Sequence, residues 1–440
     1  MSVLVTRPTR RYASRLLFAS TLLSLAACNR ARYATSAISA DAMATCTSLP
    51  TATPASLGVP QAAIDSLQRA AVAMKSDAFV IVRDGRIVHE WTDSGFEQPF
   101  NPQSITKAIT ALGVGVLLDR GALPSLDVPL GTYFPEFTTG DKAAVTLRHL
   151  MTHTSGIAAD RGEAQFYVPG RSDAGAFVRG QPLAEPVGTT FRYSNVGAQL
   201  VSHVVQAAAG APLHAVLDSA VFTPLCMRDW RWAVDARGAS YGYSRVELRA
   251  RDLAALGQLV LDRGAWQGRQ LLRAEIIDTL TAMRGGPVAE LAPTAFVGLW
   301  QYYGADSVRL DSALLAQLRA VPVSDSLTQV VARLVASGSR VMSTAVLRAT
   351  LDSTFGAGRG VPRWYADTKG RVMPTRWRTP AQAVAHSGSW GQWLLLFPET
   401  RTVVVRLARW DHPGRRSEDD GYEWSAIVGD TYRLLGRRTP

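Results

Sequence analysis

Gln103-Ser104-Ile105-Thr106-Lys107 heads a run to Asp119 in which Ile109, Leu112, Val116 and Leu117 recur at helical spacing. Serine and lysine three positions apart share one helix face, about 5–6 Å apart at Cβ. The serine sits near the positive end of that helix, which favours a developing alkoxide. Only four of the 47 basic residues are lysine, at 75, 107, 142 and 369. A chain that uses arginine wherever a fixed charge suffices has kept Lys107 where an amine able to lose its proton is useful. Arginine cannot do that; lysine can, when burial and neighbouring cations depress its basicity. Ser-x-x-Lys alone recurs by chance, so its companions decide.

The first companion is Phe191-Arg192-Tyr193-Ser194-Asn195, a turn-like stretch ahead of a helical run to Ala209. A tyrosine there serves as general base if Lys107 holds its phenolate, and Asn195 can bond both the lysine and a substrate amide. The second is His386-Ser387-Gly388-Ser389, which opens an aromatic strand from Trp390 to Phe397. The glycine lets a substrate approach the strand edge, and the amides of Ser104 and Ser389 can form an oxyanion hole. Ser-x-x-Lys, Tyr-x-Asn and a His-x-Gly strand, in this order, resemble the class C beta-lactamase and penicillin-binding-protein superfamily. Leu147–Ile157, Pro186–Gly188, Val221–Met227 and Ala250–Ala254 extend the resemblance over nearly all of residues 58–437. Gly391-Gln392-Trp393 with the Pro398-Glu399-Thr400 turn is similar to the branch of esterases and 6-aminohexanoate-dimer hydrolase.

The resemblance implies Ser104 as nucleophile, Lys107 and Tyr193 as the base system, and Asn195 as a substrate-side donor, with no cofactor. His386 stands where beta-lactamases usually carry the lysine that meets an acidic substrate group. A small ester or linear amide is therefore the expected substrate, ahead of a beta-lactam or D-alanyl-D-alanine peptide. His386, Gly388, Ser389 and Trp390 are expected to line its site. Arg406 or Arg376 are the alternative sources of a fixed charge there. A different class of function, a catalytically idle envelope lipoprotein that uses the fold for binding, fits less well with the retained Ser104, Lys107 and Tyr193.

The rest of the chain reads as an α+β fold. Phe79–Val82 and Arg86–His89 flank Asp84-Gly85, a strong hairpin signal. Gln392–Phe397 and Thr402–Leu407 flank the Pro398–Arg401 turn. Strands from both ends, with helices between, predict one antiparallel sheet flanked by helices, with a mostly helical subdomain inserted in the middle. Helices are expected from about Pro60 and over about Tyr422–Leu435, and a further helical insertion at about 305–360.

With 47% apolar and 19% charged residues the chain is globular in composition. Its formal charge is +11, of which four arginines within residues 1–27 supply four, leaving +7. No basic run is interleaved with aromatics, so a nucleic-acid partner is not expected. Those arginines precede an apolar stretch at Leu16–Ala27, too short to span a bilayer. Leu25-Ala26-Ala27-Cys28 resembles a bacterial lipobox, which implies a signal peptide at 1–27, lipidation of Cys28 and export to the periplasmic side of the cell envelope. The alternative is ordinary signal cleavage with Cys28 incidental. Residues 29–57, rich in Ala, Thr, Ser and Pro, are expected to form a flexible tether. Cys46 and Cys226 are equally consistent with a disulfide and with two free thiols.

Two motifs read as decoys. Gly238-Ala239-Ser240-Tyr241-Gly242 matches a nucleophile elbow, but the residues before it are too polar for a central strand. His149 and His153 are four apart, yet no third ligand suggests a metal, and His153 is expected to hydrogen-bond within its turn. Of the aromatics Trp364, Tyr365, Trp377, Trp390 and Trp393, Trp390 is the one expected at the pocket.

Overall fold

A computed structural model describes residues 33–36, 46–93, 98–158, 173–282, 300–302 and, with short gaps, 307–412, together with 431, 434 and 435. In chain order its strands are β1 (Tyr33–Thr35), β2 (Ala78–Arg83), β3 (Arg86–Thr92), β4 (Arg231–Ala233), β5 (Val246–Glu247), β6 (Ala265–Trp266), β7 (Arg269–Gln270), β8 (Trp300–Tyr302), β9 (Ser307–Leu310), β10 (Arg340–Ser343), β11 (Thr375–Trp377), β12 (Ala383–Gly388), β13 (Gln392–Phe397) and β14 (Thr402–Leu407). The helices that position the site are α1 (Gln61–Ala73), α2 (Thr106–Asp119), α3 (Leu147–Met151), α4 (Asn195–Ala209) and α5 (Ala250–Leu261).

The main sheet is antiparallel, in the order β3-β2-β14-β13-β12-β8, so strands from the two ends of the chain meet at β2–β14. Asp84 and Gly85 both take left-handed φ, 48° and 71°, the backbone that a tight two-residue hairpin requires. Phe79-Val80-Ile81-Val82 is a continuous apolar run because both sheet faces are covered. Phe79 and Ile81 pack with Ile64 and Leu67 of α1, while Val80 and Val82 share the core of α2 and α5. That alternation assigns every strand residue to a face. Leu394 and Leu396 lie on the α2 side, and Leu395 and Phe397 on the α1 side. The helix α2 is buried along most of its length, from Thr106 to Leu117.

Residues 307–372 build a second, separate core around Leu314, Leu318, Val331 and Trp364. Besides helices it holds a three-stranded sheet, β10-β9-β11, whose last strand lies beyond residue 360. Strands of three or four residues carry too little alternation to be read from sequence. The expected last helix, 422–435, lies outside the described residues apart from 431, 434 and 435, with Leu435 buried against the α1 core.

Where the stretch expected as a free tether is described, it is held against the domain. β1 pairs antiparallel with β4, placing Tyr33 opposite Ala233. Cys46 is disulfide-bonded to Cys226. Beyond it, Ile87 donates its N–H to Pro50 O at 2.8 Å and Ala52 to Ile87 O at 3.0 Å. Backbone pairing needs no large apolar side chains, so composition alone did not show it. Cys28 lies outside the described residues.

Candidate active site

Ser104 sits on a 3-10 turn, Gln103–Ile105, that runs directly into α2. Gln103 holds φ 53°, an uncommon conformation for its residue type. Asn101 Oδ1 supports it by accepting the Gln103 N–H at 2.9 Å, and the Thr106 hydroxyl donates to Gln103 O at 2.7 Å. Against this turn lies the end of β12. A side-chain carbon added at Gly388 would stand 2.4 Å from Pro102 O and 3.1 Å from Ser104 N, so only glycine allows the strand so close. This approach brings the Ser104 and Ser389 segments together.

Lys107 is completely buried. Its Nζ donates to Ser104 Oγ at 3.0 Å and to Tyr243 O at 2.9 Å. The same nitrogen lies 4.8 Å from the centre of the Tyr193 ring and 5.8 Å from that of Tyr243. Tyr193 is 37% exposed, so one side of it is open to an incoming molecule. Ser194 caps α4 by accepting the Gly197 N–H at 2.9 Å, and Asn195 opens that helix. Serine, lysine and tyrosine thus converge, with Asn195 two residues from the tyrosine.

His386 is buried on β12 and pairs with Leu394, which assigns it, like Gly388, to the sheet face that carries α2. Its Nδ1 donates to Ser387 O at 2.7 Å, which fixes the orientation of the ring on the strand. After Gly388 the chain turns through Ser389, Trp390 and Gly391, with Trp390 half-exposed at φ 68°. Arg406 fastens this turn. Its guanidinium donates to Trp390 O at 3.1 Å and to Gly391 O, to Met74 O at 2.7 Å, and to Ser76 Oγ at 2.8 Å. Arg406 pairs with Phe79 and Trp393 on the α1 face and is completely buried. It therefore cannot meet a substrate carboxylate; one-residue parity puts it on the wrong side of the sheet. Arg376 lies on β11 of the separate small sheet.

Two contributors were not foreseen. One is Tyr243, whose carbonyl and ring both face the lysine. The other is the extent of His153's contacts. Its Nδ1 accepts the Ser194 N–H at 3.1 Å and its carbonyl accepts the Arg192 N–H at 2.8 Å. Its ring lies 4.8 Å from that of Tyr193 and edge-on to Phe191 at 5.8 Å. Burial, then the charges of Lys107 and His386, push its pKa down to about 3, so the imidazole is neutral.

The decoys resolve differently. Ser240 is completely buried, within bonding distance of His214 Nδ1 at 2.9 Å, on a loop after the three-residue β4. His149 turns its Nδ1 to the Thr146 N–H at 3.1 Å, closing a capping box on α3, while His153 turns to Ser194. They do not form a ligand pair. Trp364 fills the core of the inserted unit and Trp393 packs against the α1 core, while Trp390 directly follows Ser389 in the turn beside the site. Asp77, Asp93 and His412 cluster elsewhere, and Arg409 already supplies a cation to Asp77.

A family model described as Beta-lactamase matches residues 64–427. Esterase EstB of Burkholderia gladioli is 34% identical over 148 residues, 30% of this chain and 37% of that protein. The 6-aminohexanoate-dimer hydrolase of Paenarthrobacter ureafaciens is 23% identical over 229 residues, 47% of this chain and 57% of that protein. The chain thus spans less than two thirds of the length of these curated relatives. A solved Bacillus anthracis structure, provisionally called a 6-aminohexanoate-dimer hydrolase, superposes with a TM-score of 0.60, covering 98% of this chain and 100% of that one at 16% identity. At that identity the likeness speaks to the fold.

Proposed function

The chain belongs to the beta-lactamase family, and we propose that it is a serine hydrolase that cleaves small esters or linear amides through an acyl-enzyme on Ser104. The observation that carries this is the buried Lys107 amine, 3.0 Å from Ser104 Oγ and beneath the Tyr193 ring. In the first step Ser104 Oγ bonds to the substrate carbonyl carbon and its proton passes to the Lys107–Tyr193 pair. The carbonyl π electrons move to oxygen, where the amides of Ser104 and Ser389 receive the charge. Collapse breaks the bond to the alcohol or amine, which leaves with the proton. Water then attacks the acyl-enzyme by the same route, releasing the acid and restoring Ser104.

The preference for a neutral substrate rests on His386. An imidazole whose Nδ1 is committed to Ser387 O is a short, titratable group, not the fixed ammonium that grips a carboxylate. The relatives named as an esterase and as a 6-aminohexanoate-dimer hydrolase support the same substrate class. The test compares kcat/KM for nitrophenyl butyrate, an aminohexanoate dimer, a D-alanyl-D-alanine peptide and nitrocefin on one preparation. Esters or the linear dimer should lead; nitrocefin ahead of the esters by tenfold refutes the substrate class. Fluorophosphonate labelling lost in Ser104→Ala tests the nucleophile separately, and labelling that survives that substitution refutes it.

We also propose export and lipid anchoring through Cys28. Four residues, and so five Cα steps, separate Cys28 from Tyr33, where β1 docks on β4. An extended linker of that length reaches about 17 Å, so the domain would ride close to the bilayer. Metabolic labelling with an alkynyl palmitate should mark the wild type and not Cys28→Ala; an unmarked wild type refutes it.

A further inference from the structure

We propose that His153 is a positioning residue that holds Tyr193 over Lys107 by pinning the backbone N–H groups of the two residues that flank the tyrosine. The inference rests on the reading of Tyr193 and Lys107 as the proton-transfer pair. Arg192 and Ser194, which flank Tyr193, donate their N–H groups to one and the same residue, at 2.8 Å to the His153 carbonyl and at 3.1 Å to its Nδ1. The imidazole then lies alongside the tyrosine ring, 4.8 Å between centres at 36°. Three contacts from a single side chain and its carbonyl thus fix the position, direction and tilt of an aromatic ring that is otherwise 37% exposed.

Several features show that this arrangement is held against local preference. His153 adopts φ 55°, in the left-handed region that costs a non-glycine residue energy. Its own N–H donates to Leu150 O at 3.2 Å, and the Thr154 N–H donates to His149 O at 2.9 Å, which ties the turn to the end of α3. With Nδ1 as acceptor, the neutral ring carries its proton on Nε2. That nitrogen is buried and has no acceptor among the described residues. Lys107 from α2 and His386 from β12 are the positive or titratable groups that bear on it, and both oppose a charged imidazole. A protonated ring would also have to donate from Nδ1, against the Ser194 N–H. The clamp works only with a neutral ring, and its surroundings keep the ring neutral.

The test uses the full chain and separates the left-handed backbone from the acceptor. His153→Gly tolerates φ 55° but has no side-chain acceptor, whereas His153→Asn tolerates that conformation and places an amide oxygen where Nδ1 stands. His153→Gly should lower kcat for nitrophenyl butyrate by about 10- to 100-fold, the size expected when a reacting group is misplaced by a fraction of an ångström to an ångström. KM should stay within about threefold, and His153→Asn should recover about tenfold of the lost kcat. The acid limb of kcat/KM should move to higher pH in His153→Gly, because a tyrosine farther from the lysine that shares its proton holds that proton more firmly. The 13C resonance of the Tyr193 phenol carbon, assigned with Tyr193→Phe, should titrate later by the same shift, which a merely structural histidine would not cause. If His153→Gly does not fold, Asn and Gln variants replace the pair, since the longer glutamine cannot put its oxygen at the Nδ1 position. Equal kcat in the two compared variants, or a loss confined to KM, overturns the clamp. Full activity in Tyr193→Phe overturns the proton-transfer reading instead. An inactive Tyr193→Phe beside a His153→Gly of wild-type rate overturns the clamp alone.

Discussion

Gly388→Ala isolates the contact that brings the two halves of the site together. Gly388 has φ −128° and ψ 160°, an extended backbone that alanine adopts freely, so the substitution carries no conformational penalty of its own. The added carbon would meet Pro102 O at 2.4 Å, Gln103 Cβ at 2.9 Å and Ser104 N at 3.1 Å. Carbon in ordinary contact stands about 3.5 Å away, so strand and turn must separate by about 1 Å. The obstacle is backbone, which cannot swing aside as a flexible side chain does. A displacement of 1 Å between reacting groups costs about 10²-fold in rate, or about 2.7 kcal/mol in the barrier. Overpacking of this kind costs about 1–3 kcal/mol in stability. The assay is kcat/KM for nitrophenyl butyrate beside urea unfolding. Gly85→Ala serves as control, at the hairpin beyond the far end of β2, with φ 71° and only Gln258 Nε2 at 4.0 Å. It should lose about 1 kcal/mol of stability and no activity. A Gly388→Ala protein that folds and hydrolyses within threefold of wild type would refute the reasoning, since the nucleophile turn would then not depend on that approach.

Lys107→Arg keeps the charge and removes the amine that can give up a proton; a loss of about 10²–10⁴ in kcat is expected, and a rate within threefold of wild type contradicts the general-base role. Stability should fall with acid through two buried histidines, His153 held at about 3 and His203 at about 4, both chiefly by burial. Their unfolded forms take up protons below about 6.5 while the folded forms refuse them, so stability is complete above that pH and is lost as pH falls towards 4. Each histidine contributes up to about 1.4 kcal/mol per pH unit. Urea midpoints between pH 7 and 4 should therefore fall less steeply in His203→Gln, and an unchanged slope refutes that share. Reduction of the Cys46–Cys226 disulfide, which spans 180 residues, should cost about 2–5 kcal/mol; an unfolding midpoint unmoved by reductant, with both thiols shown free, contradicts it.

The parts of this molecule that were legible in its sequence are those written in short-range patterns. Asp84-Gly85 needs nothing but its own backbone to announce a hairpin, and the apolar residues before and after it announce the two strands it joins. Lys107 stood out through composition, as one of four lysines among 47 basic residues. The strap formed by residues 33–36 and 46–52 was misread for the complementary reason. Its hold on the domain is largely backbone hydrogen bonds and one disulfide, with Leu49 as the single buried aliphatic side chain among its described residues, and a sequence rich in Ala, Thr and Ser makes such bonds as readily as any other. Cysteine spacing left the pairing open because a partner 180 residues away is chosen by the fold.

Parity on a strand governs the charge around the site, and it could be read only once the register was known. His386 on β12 and Arg406 on β14 lie either side of β13 in the sheet, and each was a candidate to meet a substrate group. Register places His386 opposite Leu394, on the α2 face, and Arg406 opposite Trp393, on the α1 face. One residue of slip would exchange them and give the pocket a guanidinium in place of an imidazole. The neutral character proposed for the substrate therefore follows from the pairing of β12, β13 and β14 as much as from the identity of residue 386. It also predicts the remedy: His386→Lys, on the face that carries Lys107, should raise kcat/KM for a carboxylate-bearing substrate relative to a neutral ester. Two charge-assisted contacts of about 1.5–3 kcal/mol each allow a change in that ratio of tenfold or more. A lysine at 386 that leaves the ratio unmoved, in a protein still active on the neutral ester, would show that the histidine does not set the preference.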